Sequence, residues 1–300
     1  MRMFDPHIHM TSRTTLDYQA MADAGITAVV EPSFWLGQPR THVGTFEDYF
    51  RGLLGWERFR ASQFGIHHYC TLSINPKEAN NARVAQGVID LLPRYLSKDG
   101  VVAVGEIGYD DMTAEEDKYF AAQLELAIRF DLPALVHTPH RDKKRGTERT
   151  LALVRDVGFP EERVLVDHNT EETLPLVLAT ACWAGHSIYP FTKMDEARMV
   201  ALVRKYGAAR ILVNSAADWG VSDPLKVPKT VAAMREAGID EAAIETIVWR
   251  NPVAFFGQSG KLDAAELEGS TDVDQRQLFE GNSVLRGQTP VVQGARKPGE

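Results

Sequence analysis

The chain has 300 residues, of which 44% are hydrophobic and 25% charged, a composition typical of an ordinary soluble globular protein. Its formal net charge of −8 disfavours nucleic acid as a partner without excluding it, and no apolar run approaches the roughly 18 residues of a membrane span. The two cysteines, Cys70 and Cys182, lie far apart, and no basic and apolar leader opens the chain. The pattern therefore predicts a cytoplasmic protein without a disulfide framework.

Eight short apolar runs, rich in β-branched residues, alternate with segments whose apolar residues recur at spacings of three and four. The predicted strands span residues 3–9, 27–32, 64–74, 101–107, 134–138, 164–168, 183–189 and 211–215. The predicted helices span residues 16–24, 46–62, 79–96, 113–130, 148–157, 171–178, 194–206 and 228–237. This alternation indicates repeated βα units.

Eight such units with short connections favour a closed (β/α)8 TIM barrel. Two stacked open α/β domains are the alternative, but no linker divides the chain and no G-x-G-x-x-G follows the first strand. We therefore predict one barrel over residues 1–257. Residues 258–300 are mostly polar and are predicted to form a C-terminal extension, partly disordered, in which 283–285 and 290–292 could add short strands.

Polar side chains that suit a metal ion end several of the predicted strands. His7 and His9 are two apart on the first strand and so point to the same face. Glu106, His137 and His168 end the fourth, fifth and sixth strands. In a barrel of this type the carboxyl ends of the strands meet at one mouth, where catalytic groups lie. Imidazole and carboxylate are common ligands of divalent ions, so the sequence predicts a metal site there.

In type and order, six segments of the chain resemble the amidohydrolase superfamily and, within it, the TatD-related metal-dependent hydrolases. These segments are residues 5–9, 65–67, 105–110, 133–137, 166–168 and 251–257. The resemblance implies an amidohydrolase-like barrel that binds two divalent ions, of Zn, Mn, Mg or Fe. It implies that His7 and His9 bind the first ion, that Glu106 bridges to the second, and that His137 and His168 complete the second site. A metal-activated water would then hydrolyse the substrate.

The eighth strand departs from this resemblance. The family pattern there is Leu-Glu-Thr-Asp, whose Asp binds the first ion, whereas a gapless register puts Ala216 at that position. Asp218 has the same strand parity and is our predicted ligand and general base, and with Glu106 it makes up the predicted catalytic pair. A longer strand or a bulge would aim its carboxylate correctly. In the alternative, Asp218 only caps the following turn and Asn214 takes its place.

The loops beyond the strands predict an anionic substrate. His140 and Arg141 stand three and four residues after His137 in a basic segment, and a guanidinium can bind phosphate or carboxylate through two hydrogen bonds. His67 belongs to one of the resembling segments and is also predicted to contact substrate. Further candidates that could line the mouth or act as a lid are Arg13, Trp35, Arg40, His42 and Tyr109.

An anionic substrate at a two-metal site favours a phosphoesterase that acts on a small phosphorylated molecule, for example one like a sugar phosphate. Three alternatives stay open at this point. They are a hydrolase of an amide or lactone that bears a carboxylate, a TatD-like deoxyribonuclease, and a ligand-binding barrel that has lost its chemistry. The sequence leaves the oligomeric state undecided.

Overall fold

Eight parallel strands form the centre of the computed structural model, which describes residues 1–274. Each strand pairs with the next along the chain and the connections between them are helical, which confirms the predicted (β/α)8 barrel and contradicts two open domains. The strands are β1 Met3–Asp5, β2 Ile26–Pro32, β3 His67–Leu72, β4 Val101–Gly108, β5 Ala134–His137, β6 Val164–Val166, β7 Trp183–Ser187 and β8 Ile211–Asn214.

Helices surround this barrel, and several begin at a residue whose side-chain oxygen accepts a backbone N–H of the first turn. Thr14, Thr113 and Asp195 cap helices in this way. The helices are α1 Thr15–Asp23, α2 Val43–Gly52, α3 Arg58–Ser62, α4 Pro76–Ala79, α5 Ala82–Leu91, α6 Ala114–Arg129, α7 Lys143–Val157, α8 Leu174–Leu178, α9 Glu196–Tyr206, α10 Lys226–Glu236, α11 Glu241–Glu245, α12 Asn251–Gly257 and α13 Ala264–Leu267. Short 3-10 turns cover Met10–Ser12, Leu92–Arg94 and Glu161–Arg163, and π-helical turns cover Leu53–Glu57 and Thr246–Arg250.

Several element boundaries differ from the predictions, and three helical segments show the physical reasons. The helix predicted over 46–62 is interrupted by a π-helical turn between α2 and α3. The helix predicted from residue 171 begins only at Leu174, the residue before Pro175. The segment 241–257 is helical but was not predicted so, because its apolar residues serve two surfaces instead of one regular stripe.

The apolar core has two layers. The larger one packs the outer faces of the strands against the helices. The smaller one fills the barrel interior with one side chain from most strands, including Phe4, Leu135 and Leu212, and is covered by Phe255 and Phe256 of α12. Phe4 contacts Phe256 with ring centroids 6.0 Å apart. Since Phe255 also contacts Trp183, the first residue of β7, this aromatic layer is the floor of the barrel, and the opposite end is left for polar groups.

The barrel closes between the segments that follow β1 and β8. Ala216 donates its backbone N–H to the His7 carbonyl oxygen at 2.8 Å, and His9 donates to the Ala217 carbonyl oxygen at 2.9 Å. Below them, the buried Asp5 carboxylate accepts the N–H of Ser215 at 3.2 Å. Burial, partly opposed by these hydrogen bonds, raises the pKa of Asp5 to about 7. The closing seam therefore carries the His-x-His segment at its upper end.

Part of the predicted C-terminal extension packs on the barrel. Helix α13 inserts the fully buried Leu267 into the floor layer, and the Arg2 guanidinium donates to the Gly269 carbonyl oxygen at 2.8 Å. The predicted disorder and the possible strands at 283–285 and 290–292 lie outside the described residues. Within residues 1–274, no helix has both the length and the apolar character needed to cross a bilayer.

Candidate metal centre

Three histidines converge on one carboxylate oxygen at the carboxyl ends of the strands, and a fourth histidine contacts one of them. The Oε1 atom of Glu106 lies 3.4 Å from Nε2 of His7, 3.3 Å from Nδ1 of His137 and 3.4 Å from Nε2 of His168. His9 joins the cluster through its Nε2, which is 3.1 Å from Nε2 of His7. The potential ligand atoms of His7, Glu106 and His168 all lie within 4.8 Å of one another. The sequence-predicted histidines and Glu106 are thus brought together.

Irregular backbone aims these side chains. His7 and His9 were predicted within the first strand, but β1 ends at Asp5 and both lie in the bent segment after it. Glu106 stands where the pairing of β4 with β5 shifts register, a feature that often occurs beside active sites. His168 adopts a left-handed backbone with φ of 61°, and its N–H donates to Oδ1 of Asp167 at 2.7 Å. Such strain persists only where the surroundings enforce it.

A chain of hydrogen bonds behind the cluster determines which nitrogen of His7 and His168 carries the proton. The Asp167 carboxylate accepts both from Asn214 Nδ2, at 3.0 and 3.1 Å, and from His7 Nδ1 at 2.6 Å. The Asn214 amide oxygen therefore faces Ser187, whose hydroxyl donates to it at 2.7 Å. That hydroxyl must then accept from Nδ1 of His168, 2.7 Å away. In their neutral form both rings thereby carry their proton on Nδ1, so that Nε2, directed towards Glu106, is the potential metal ligand.

The electrostatics of the cluster suit a cation. Burial alone lowers the pKa of His7, but the Glu106 and Asp167 carboxylates outweigh it and raise that pKa above its ordinary value. Burial and the neighbouring His7 lower the pKa of His9 to about 3. A proton on His7 thus offsets the Glu106 charge, and a divalent ion would do the same with more charge and more ligands. The donor set of imidazole nitrogens and one carboxylate fits such an ion.

A pocket of about 160 Å³ opens above the cluster. It is lined by His7, His9, Phe34, Trp35, Asn75, Lys77, Glu106, His137, His140, His168, Lys193, Ala216 and Asp218. This volume is below the roughly 300 Å³ of a typical ligand site, so the pocket accommodates a small group or the reacting end of a larger molecule. Trp35, a predicted lid residue, lies at its wall, whereas the predicted lid residue His42 instead caps α2 by accepting the Gly44 N–H.

Strand β8 supplies no carboxylate to the cluster itself. Ala216, with a left-handed φ of 43°, lines the pocket where the family pattern has Asp. The side chain of Asn214 donates to Asp167 and accepts from Ser187. It therefore orients the cluster and does not take the place of the missing carboxylate ligand. The predicted Asp218 lies on the pocket wall, where its Oδ1 accepts from the Tyr189 hydroxyl at 2.7 Å and from the Gly220 N–H at 2.8 Å.

Three residues predicted to contact substrate lie elsewhere. His67 is the first residue of β3, at the floor end of the barrel, with Nδ1 3.8 Å from the Glu266 carboxylate. Arg40 is buried in an ion pair with Glu78 at 2.9 Å and packs over two aromatic rings. Tyr109 is buried against α6 and donates its hydroxyl to Asp117 at 2.6 Å. In the structure these three side chains contact structural partners away from the pocket, and this geometry gives their predicted contact with substrate no support.

The other substrate candidates remain near the mouth. His140 lines the pocket with its ring centroid 5.9 Å from that of His137. Arg141 is exposed at the rim and forms an ion pair with Asp111 at 2.8 Å. Arg13 donates to the Asp218 carbonyl oxygen and so supports the loop that carries the predicted base. Their contacts with substrate stay predictions.

Sequence reasoning missed four residues that build the site. Asp167 and Ser187 orient histidines, and Asn75 donates from Nδ2 to Oε2 of Glu106 at 3.1 Å. All three lie at strand ends, so a search of every strand end would have found them. The fourth, Lys193, lies in the loop after β7, and no sequence pattern marked it.

Histidines and a carboxylate at the carboxyl-end mouth of an eight-stranded barrel define an amidohydrolase-like, metal-dependent hydrolase. A family model described as TatD related DNase matches residues 4–257. The chain therefore belongs to the TatD family, which confirms the resemblance found in its sequence. It is 26% identical over 257 residues to an uncharacterized metal-dependent hydrolase of Methanocaldococcus jannaschii, with 85% of this chain and 99% of that protein covered.

Solved structures show the same fold. A TatD-like protein from Archaeoglobus fulgidus superposes with a TM-score of 0.70 and 29% identity, covering 84% of this chain and 99% of that one. The phosphotriesterase homology protein of Escherichia coli, solved with phosphate in its active site, has a TM-score of 0.62 and 16% identity, covering 85% and 98%. A lactonase of Listeria monocytogenes has a TM-score of 0.61 and 15% identity, covering 85% and 94%. The last two similarities concern the fold alone.

Proposed function

We propose that this protein is a phosphoesterase that hydrolyses a small phosphorylated substrate with two divalent ions held by the histidine–carboxylate cluster. The observation that carries the proposal is the contact of Glu106 Oε1 with three histidines. Through it one carboxylate touches both the His7–His9 pair and the His137–His168 pair. A carboxylate between two imidazole pairs is suited to bridge two ions.

The chemistry requires an incoming water oxygen to bond to phosphorus while the bond to the ester oxygen breaks. Divalent ions in such a site lower the pKa of water and withdraw charge from the phosphoryl oxygens. His7, His9 and Glu106 would hold the first ion, and Glu106, His137 and His168 the second. Asp218 would accept the proton of the attacking water and pass it to the departing alcohol. Its Oδ2 atom accepts no hydrogen bond within residues 1–274 and is therefore available for that proton.

The pocket lining favours a small anionic substrate, such as a phosphate ester, over long DNA. Lys77, Lys193 and His140 add basic groups to a lining whose only carboxylates are Glu106 and Asp218. Long DNA is disfavoured, because its backbone needs an extended basic surface and the chain carries a net charge of −8. A carboxylate-bearing amide or lactone would meet the same cations and is the second candidate. It differs from the first in the product released.

The test is phosphate release by full-length protein purified without chelator and analysed for metal. We expect about one to two equivalents of Zn, Mn, Mg or Fe per chain and hydrolysis of at least one monoester or diester in a panel of small phosphates. If the protein holds metal and hydrolyses amides or lactones but releases no phosphate, the proposed phosphoesterase function is wrong and the second candidate function takes its place. Less than one equivalent, with no gain on reconstitution, would favour a barrel that only binds ligands.

Asp218→Asn is expected to lower turnover by about 10²–10⁴-fold while leaving metal content unchanged, because the amide cannot accept the proton. Tyr189→Phe removes one hydrogen bond to the same carboxylate but leaves the carboxylate in place, and we expect it to cost less than about tenfold. The measurements are kcat on the best panel substrate and elemental analysis of each variant. An Asp218→Asn protein with parental turnover would remove this residue from the mechanism.

A further inference from the structure

Lys193 is the pocket residue that the proposed chemistry leaves without a role. It lies in a tight reversal between β7 and α9, where Tyr189 donates its N–H to the Met194 carbonyl oxygen at 3.0 Å. The Arg198 guanidinium also holds this turn, by donating to the Lys193 carbonyl oxygen at 2.9 Å. The backbone is thus fastened on both sides, and the side chain extends into the pocket that contains the histidine cluster.

Within residues 1–274, the Lys193 ammonium has no hydrogen-bond acceptor and no ion-pair partner. Its Nζ lies over the Tyr189 ring, 5.2 Å from the ring centroid. The other lysine of the pocket, Lys77, is paired with Asp110 at 2.9 Å. A half-buried ammonium group that lines a pocket and has no acceptor from the chain is suited to bind an anion from outside it. Desolvation accordingly lowers the pKa of Lys193, although the Asp167, Glu106 and Asp218 carboxylates oppose the shift.

Two exposed aromatic side chains lie on the loops that carry Lys193 and Asp218. Phe191 is two residues before Lys193 and is 95% exposed, and Trp219 follows Asp218 and is 59% exposed. The loops that carry them are joined at the pocket by the hydrogen bond of 2.7 Å between Tyr189 and Asp218. Large aromatic side chains so exposed beside a polar pocket are suited to contact the apolar part of a ligand.

We propose that Lys193 binds the anionic group of the substrate and that Phe191 and Trp219 contact an apolar body attached to it. This inference rests on the proposed function for the identity of the anion, which is a phosphate. It narrows the substrate to a phosphate ester of an aromatic or otherwise apolar alcohol. A sugar phosphate, whose body is polar, would leave the aromatic pair without a partner.

The test is calorimetric titration of the metal-loaded full chain with phenylphosphonate, which cannot be hydrolysed, and with methylphosphonate, which lacks the ring. Lys193→Met is expected to weaken both probes by about 10–100-fold, the loss of one charge-assisted hydrogen bond. Lys144→Met, at an exposed lysine of α7, is the matched control and should leave both affinities unchanged. The double change Phe191→Ala and Trp219→Ala should weaken phenylphosphonate by about tenfold and methylphosphonate by much less.

Equal affinity of the parent and Lys193→Met proteins for both probes, at equal metal content, would overturn the assignment of Lys193. If the double aromatic variant lost the same factor of affinity for both phosphonates, the proposed contact of Phe191 and Trp219 with an apolar body would be overturned. If the parent binds neither phosphonate, the same titration is made with benzoate and acetate. Binding of benzoate that Lys193→Met abolishes would keep the Lys193 assignment while the phosphoesterase fails. Failure of all four probes would overturn the proposal itself.

Discussion

Glu106→Gln is expected to abolish metal binding and activity while leaving the fold intact. Oε2 of Glu106 accepts from Asn75 Nδ2, and the Asn75 amide oxygen is itself committed to the Lys77 N–H. A glutamine must therefore turn its amide oxygen to Asn75 and its NH2 group to the histidines. That NH2 group would donate to the imidazole lone pairs and would occupy the place of the cation. The loss of a buried carboxylate–metal pair costs about 3–5 kcal/mol, or roughly 10²–10⁴-fold in metal affinity.

The measurements are metal content after dialysis, kcat/KM, and thermal unfolding of metal-free protein. We expect the metal-free variant to unfold at the same temperature as the metal-free parent. Its NH2 group would donate to the histidine nitrogens, which face one another beside the carboxylate in the parent. Glu125→Gln, at an exposed position of α6, makes the same chemical change away from the site and serves as the control. A Glu106→Gln protein that retains full metal content and turnover would contradict the bridging role.

Asp167→Asn is expected to weaken metal binding by about 10–100-fold, although Asp167 is not proposed to touch the metal. Its carboxylate receives donors from His7, Asn214 and the His168 N–H, so an NH2 group in either orientation meets another donor. Burial alone would raise the pKa of Asp167, but the His168 and His7 rings and these hydrogen bonds hold it far below its usual range. The charge is therefore present at neutral pH, and its removal also costs about 3 kcal/mol of folding free energy.

Metal titration and denaturant unfolding at neutral pH check this second prediction. Asp48→Asn, an exposed position on α2, is the matched control, and its affinity and stability should equal those of the parent. Ser187→Ala removes the acceptor of His168 and the donor to Asn214 but leaves the Asp167 charge in place, so we expect a smaller loss of metal affinity, of about tenfold. If Asp167→Asn bound metal as tightly as the parent, the hydrogen-bond chain behind the histidines would have no role in orienting them.

The barrel and most of the cluster could be predicted from the sequence alone, because both depend on local patterns. Alternating apolar runs and helical spacings indicate βα units, and residues at strand ends meet at one mouth in any such barrel. His7, His9, Glu106, His137 and His168 followed from that rule and from the family resemblance, and they converge in the structure. None of these inferences required knowing which way a loop turns.

Loop residues could not be assigned in the same way. Arg40 follows a strand, as Lys193 does, yet the first is buried against Glu78 and the second faces the pocket. His67 matched a family segment, but it is the first residue of β3, so its side chain lies at the floor end of the barrel, away from the mouth. The direction of a side chain on a loop is decided by contacts with distant segments, and these contacts exist only in the folded chain.

The sequence by itself therefore determined the class of protein and most of the side chains of its candidate metal centre, through periodicity, the order of polar residues at strand ends and the family resemblance. The tertiary structure alone decided the orientation of those side chains. Asp167, Ser187 and Asn214 come from three different strands or strand ends, and only barrel closure brings them within hydrogen-bond distance. It also decided that Ala216 replaces a carboxylate at the pocket wall and that Lys193 faces the histidines, because both follow from how the β7 and β8 loops pack together.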